Sequence, residues 1–159
     1  LQVIRYKTAK LFEASARLGA VLAGAPQAVE EACAGYGRAL GTAFQLVDDL
    51  LDYSASSDEI GKNVGDDLAE GKPTLPLIYA MRHGSAAQAS MIRQAIENGD
   101  RNQIGVITEA IASTGAVAYT ARLARQEADA AIEALRILPE SSQKQALIAL
   151  ADYSVSRSH

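Results

Sequence analysis

Apolar and small residues recur at Ile4, Thr8, Leu11, Ser15, Leu18 and Leu22, the three-and-four spacing of one helix face. Gly24, Ala25 and Pro26 interrupt that pattern, and a second long helix is expected over residues 27–53. Residues 54–72 lose the periodicity, carry Gly61, Gly65 and Gly71, and read as the one substantial loop. Pro73 suits the first turn of a further helix ending near His83 and Gly84. Later helices are expected over residues 86–97, 103–113, 116–138 and 141–154, with Gly99-Asp100, Gly115 and Pro139 at the joins. The pattern therefore predicts an all-α protein of about six or seven helices.

Composition supports the helical reading and narrows the function. Tryptophan is absent and aromatic residues make up only 5%, which disfavours a β-fold. At 159 residues the chain suffices for one domain with a sizeable core. Its net charge of −4 is spread over both signs along the sequence, so no basic patch points to nucleic acid. Cys33 is the single cysteine, which excludes an internal disulfide and a multi-cysteine zinc site. Set among alanines, it reads as a small apolar side chain packed inside a helix, consistent with a reducing cytoplasmic setting. No apolar run reaches the length of a bilayer span, and LQVIRYK does not resemble a signal peptide. The first residue, Leu1, already lies in a helical pattern, so the chain is expected to be part of a longer protein.

The second helix carries the chemistry. On a helical wheel, Gly41, Gln45, Asp48, Asp49 and Asp52 fall within a sector of roughly 100°. Leu40, Ala43, Phe44, Leu46, Val47, Leu50 and Leu51 fill another of about 160°. An apolar face that wide means burial on most sides, and the remaining narrow sector holds three carboxylates with no cation among them. Two carboxylates about 6 Å apart repel by about 3 kcal/mol at an effective dielectric of 20. Shielded from water, such a group takes up protons or binds cations. Hard oxygen donors without histidine or thiolate select magnesium or a similar ion, with phosphate oxygens completing its shell. The string DDLLD alone is equally compatible with a solvated acidic face, so its surroundings decide.

Lys7 and Thr8 in the first helix, and Lys62 and Lys72 in the glycine-rich loop, are candidate donors to a diphosphate held over such a metal. Glycines would let that loop turn sharply and bring backbone amides near phosphate. The segments YKTAKLFEAS, GTAFQLVDDLLDY and GKNVGDDLAEGKPTLPLIYA resemble blocks of the trans-isoprenyl diphosphate synthases, nearest to the bacterial long-chain type that makes octaprenyl or nonaprenyl diphosphate for quinones. The resemblance is collinear over essentially the whole chain.

It implies an isoprenoid synthase-type helical bundle and head-to-tail prenyl transfer from an allylic prenyl diphosphate to isopentenyl diphosphate, with Mg2+, in a cytoplasmic homodimer. Lys7 and Thr8 then match the lysine-threonine pair that contacts the allylic diphosphate, and Gln45 the glutamine one turn from the metal. Asp48, Asp49 and Asp52 match the second aspartate-rich motif, with Asp48 the firmest ligand and Asp52 able to act through water. Lys62 and Lys72 match the two loop lysines that touch diphosphate. Asp66 and Asp67 also fit the family pattern, and read mainly as loop and helix-start residues.

The first aspartate-rich motif of that family has no counterpart, because Glu30-Glu31, Asp58-Glu59 and Asp66-Asp67 lack its spacing. Residues 1–159 are therefore expected to be the C-terminal half of a single prenyl synthase domain, inactive alone. Two alternatives stand beside this reading. One is another diphosphate-ionising enzyme of the same fold, a head-to-head synthase or terpene cyclase, disfavoured by GKNVGDDLAEGKPTLP. The other is a non-catalytic helical partner subunit, disfavoured by the acidic triad beside two loop lysines. His83 reads as a favourable cation at a helix C-terminus, and Arg157 as part of a solvated tail.

Overall fold

Helices occupy every segment where the hydrophobic spacing predicts one, and no strand occurs among the described residues, 1–53 and 65–156 of a computed structural model. Residues 2–22 form α1, with a π-helical turn at Arg5–Ala9 between α-helical Gln2–Ile4 and Lys10–Leu22. Then follow α2 (Gln27–Leu51), α3 (Asp66–Ala69), α4 (Leu75–His83), α5 (Ala86–Asn98) and α6 (Ile104–Ser113). The chain continues through α7 (Ala116–Ala134), a 3-10 turn at Leu135–Ile137 and α8 (Ser142–Ser156). The described residues thus hold eight helices where the pattern suggested six or seven. The extra one, α3, lies inside the segment read as loop; a four-residue helix is too short to show a periodic face.

The chain divides into two compact units, residues 1–47 with 122–159, and residues 48–121. In the first, Tyr36, Ala39, Leu40, Ala131, Leu135 and Ala151 form a core against which Phe12, Ala16 and Leu147 pack. The α1–α2 contact is made backbone to backbone. A Cβ on Gly37 would lie 2.3 Å from the Phe12 carbonyl oxygen, and one on Gly41 would lie 2.8 Å from Ala9 Cα. The Tyr36 hydroxyl donates to the Leu147 carbonyl at 2.9 Å and ties α2 to α8.

Here the expected face of α1 is wrong by one position. Leu11, Leu18 and Leu22 are 73%, 57% and 86% exposed, whereas Ala9 and Ala20 are buried and Phe12 and Ala16 partly so. A π turn holds one residue more than an α turn. The turn at Arg5–Ala9 therefore advances the inward register from 11 and 15 to 12 and 16. Two glycines on α2 also leave room for alanines and a backbone, not for leucines.

The second unit packs α4, α5 and α6 together, with α3 against α5. Its core is Tyr53, Leu68, Leu77, Ala80, Ile92, Ala95, Ile107, Ala110, Ile111 and Ala116. α5 begins with a full capping box, in which Ser85 and Gln88 each accept the other's backbone N–H. α4 corrects another expectation, since Thr74 precedes its first turn and Pro76, not Pro73, lies within it. No single described helix is long and apolar enough to cross a membrane.

Candidate active site

The acidic sector of α2 is not a solvated face. Asp49 is only 4% exposed, while Gln45 and Asp48 are half-buried. The wide apolar sector packs as expected, with Leu40, Ala43, Leu46 and Val47 buried. Burying a carboxylate is tolerated only where donors or a cation accompany it. That constraint favours a site over a decorative surface.

Asp52 departs from the simple stripe. α2 ends at Leu51, and Asp52 and Tyr53 form a tightening turn in which Tyr53 N–H donates to the Leu50 carbonyl at 3.0 Å. Three successive amides converge on Asp52. Its main-chain carbonyl accepts Gly65 N–H at 2.9 Å, and its two carboxylate oxygens accept Asp66 N–H at 3.0 Å and Asp67 N–H at 3.1 Å. The backbone amides expected near a phosphate are, at residues 65–67, turned onto Asp52. Gly65 permits this because its φ of +84° is left-handed and a Cβ there would come 2.8 Å from Ile104 Cδ1.

Lys72 extends the same network. Its Nζ donates to Asp67 Oδ1 at 2.8 Å and pairs with Glu70 at 2.6 Å, and its N–H donates to the Asp67 carbonyl at 2.9 Å. These hydrogen bonds, to Asp67 first and Glu70 second, raise the ammonium's pKa above its ordinary value. Arg101, which sequence reasoning missed, donates from Nε to the Gly65 carbonyl at 3.1 Å and pairs with Asp66. It lies 36 residues from Gly65 along the chain, so no local pattern announces it.

Burial raises the pKa of Asp52 to about 6, with the charge of Asp67 next in effect, against the lowering influence of the amide bonds. A carboxyl whose folded pKa is raised binds its proton more tightly in the folded state. Its contribution to stability is fully present below the ordinary carboxylate pKa of about 4, and is lost as pH rises through about 6. Thermal unfolding in metal-free buffer should therefore give a melting temperature that declines from pH 4.5 to pH 7. Asp52→Asn should flatten that decline; an equal decline in the variant would assign it to other groups.

In the first unit, Thr8 and Gln45 meet, the threonine hydroxyl donating to Gln45 Oε1 at 2.8 Å. Lys7 and Thr8 lie within the π turn, a geometry that recurs at functional sites, and Lys7 is exposed. Lys62 and Arg157 lie outside the described residues. His83 is the last residue of α4, as expected, with its ring stacked on Tyr79 at 4.1 Å between centroids. Cys33 is half-buried, and burial pushes its thiol pKa up.

The donors suit a hard divalent ion. Among the described residues no three His, Cys, Asp or Glu side chains converge closely enough to hold a metal unaided. Magnesium does not require that, since it takes one or two carboxylates and fills its shell with water and phosphate oxygens. Asp48 and Asp49 are the residues of α2 that could contribute to such a shell.

Comparison with known proteins fits this chemistry. The family model described as polyprenyl synthetase matches residues 1–114. The octaprenyl diphosphate synthase of Haemophilus influenzae is 53% identical over 160 residues, spanning 100% of this chain and 49% of that protein. The octaprenyl diphosphate synthase of Escherichia coli is 52% identical over 99% of this chain and 49% of its own length. A Caulobacter crescentus polyprenyl synthase, solved with calcium and isoprenyl diphosphate, superposes with a TM-score of 0.90 at 42% identity. That match covers 99% of this chain and 48% of the other. The chain thus spans about half the length of the relatives it matches.

Proposed function

We propose a function on one established footing: the chain belongs to the polyprenyl synthetase family. It is read as the C-terminal half of a trans-polyprenyl diphosphate synthase domain. In the full-length protein it lengthens an allylic prenyl diphosphate with isopentenyl diphosphate into a long-chain all-trans polyprenyl diphosphate for quinones. The observation that carries this reading is the buried and half-buried pair Asp49 and Asp48 at the end of α2.

In the proposed reaction the allylic C–O bond breaks and the electron pair leaves with diphosphate. The isopentenyl double bond attacks the allylic cation to form the new C–C bond, and a proton is then lost, restoring a double bond. Lys72, and Lys62 by family pattern, donate hydrogen bonds to the departing diphosphate as charge develops on it. By family pattern, Lys7, Thr8 and Gln45 are read as contacts of the allylic diphosphate. Asp48 and Asp49 would hold Mg2+, which when bound supplies positive charge to the leaving group. The calcium and isoprenyl diphosphate of the Caulobacter relative support a divalent ion and a diphosphate here. A cytoplasmic homodimer completes the proposal.

Incubating the full-length protein with Mg2+, an allylic diphosphate and isopentenyl diphosphate should yield a polyprenyl diphosphate. The 159-residue chain alone should yield none, because its acidic pairs lack the spacing of the family's first aspartate-rich motif. Turnover by the chain alone would overturn the assignment as a half-domain. No product from the full-length protein would favour a non-catalytic partner.

A further inference from the structure

The third carboxylate of the acidic stripe is occupied differently from the first two. Asp52 lies past the end of α2 and receives the N–H groups of Gly65, Asp66 and Asp67 in succession. Asp67 then holds Lys72 through its main-chain oxygen and its carboxylate. We propose that Asp52 is a positioning residue for Lys72, acting as a clasp on residues 65–67 and not as a direct metal ligand. This rests on the reading of Lys72 as a donor to diphosphate.

The geometry separates the two roles. Each Asp52 carboxylate oxygen commits one of its two lone pairs to an amide at ordinary hydrogen-bond length, which fixes the carboxylate's orientation on residues 65–67. Each of those acceptors fixes one residue at the start of α3, and α3 ends one turn before Lys72. Arg101 grips the same segment through Gly65 and Asp66, so Asp52 supplies one of two restraints on it. Removing Asp52 leaves the amides of Asp66 and Asp67 without their acceptors. The segment, and the ammonium it carries, are then held by the Arg101 restraint alone.

A double-mutant cycle in the full-length protein tests this. Asp52→Ala should raise KM for the allylic diphosphate about tenfold, comparably to Lys72→Ala. The double variant should be no worse than Lys72→Ala alone. The Mg2+ concentration for half-maximal rate should stay at the wild-type value, without the rise that loss of a group orienting the metal ligands brings. Asp52→Asn, which keeps one acceptor oxygen and removes the charge, should recover a large part of the loss. Multiplicative effects, a raised Mg2+ requirement, or an Asn variant as impaired as Ala would each overturn the clasp. Independently of turnover, hydrogen exchange on the full-length protein should show protected amides at Asp66 and Asp67, with protection lost in Asp52→Ala. Equal exchange in both would sink the clasp while leaving the enzyme assignment intact.

Discussion

Asp48→Ala in the full-length protein is expected to lower kcat for prenyl transfer by roughly 10²–10³-fold, the scale on which one preorganised charge-stabilising group acts. The carboxylate lies at the end of α2 with Asp49 beside it, and Asp49 is buried. Removing Asp48 takes away one of the two carboxylates on which a divalent ion and its diphosphate would rest. The Mg2+ concentration for half-maximal rate should rise in parallel, and the fold should survive because Asp48 is only half-buried. Circular dichroism unchanged with activity lost is the expected pair of results. Unchanged turnover would return the acidic stripe to a structural role.

Gly37→Ala should be the most damaging small substitution in the first unit, destabilising it by about 1–3 kcal/mol. The added methyl would meet the Phe12 carbonyl at 2.3 Å and Glu13 Cα at 2.9 Å, both backbone atoms that no rotamer change can move. α1 must then retreat from α2. Because Thr8 on α1 reaches Gln45 on α2 by a 2.8 Å hydrogen bond, the retreat also loosens that pair. Chemical denaturation should show the loss in stability. Gly19→Ala, which meets nothing within 4 Å on the same helix as Phe12, should be neutral or slightly stabilising. A tolerated Gly37→Ala would mean that α1 and α2 do not pack this closely.

The same glycines mark how far the sequence could be read. Helix positions followed from spacing, and the apolar sector of α2 was legible because seven of its residues agree on one face. The buried face of α1 was not, since one inserted residue in the turn Arg5–Ala9 rotates everything after it and leaves no trace in hydropathy. Asp48, Asp49 and Gln45 were placed on one face of α2 by type and spacing, whereas the Thr8–Gln45 hydrogen bond, between residues 37 apart in the chain, was not foreseen. Asp52 and Arg101 were harder. Their partners lie 14 to 36 residues away, and a carboxylate bonded to backbone amides carries no signature beyond its own identity. Periodicity reports which residues face inward, whereas a long-range bond to a main-chain amide depends on tertiary geometry that no residue pattern encodes.

The most direct test of the central claim is a crystal structure of the full-length protein with Mg2+ and a non-reactive allylic diphosphate analogue. The account predicts an Asp48 oxygen about 2.0–2.1 Å from a metal ion that also contacts diphosphate oxygens. Diphosphate bound elsewhere, with Asp48 and Asp49 bearing no metal, would contradict it.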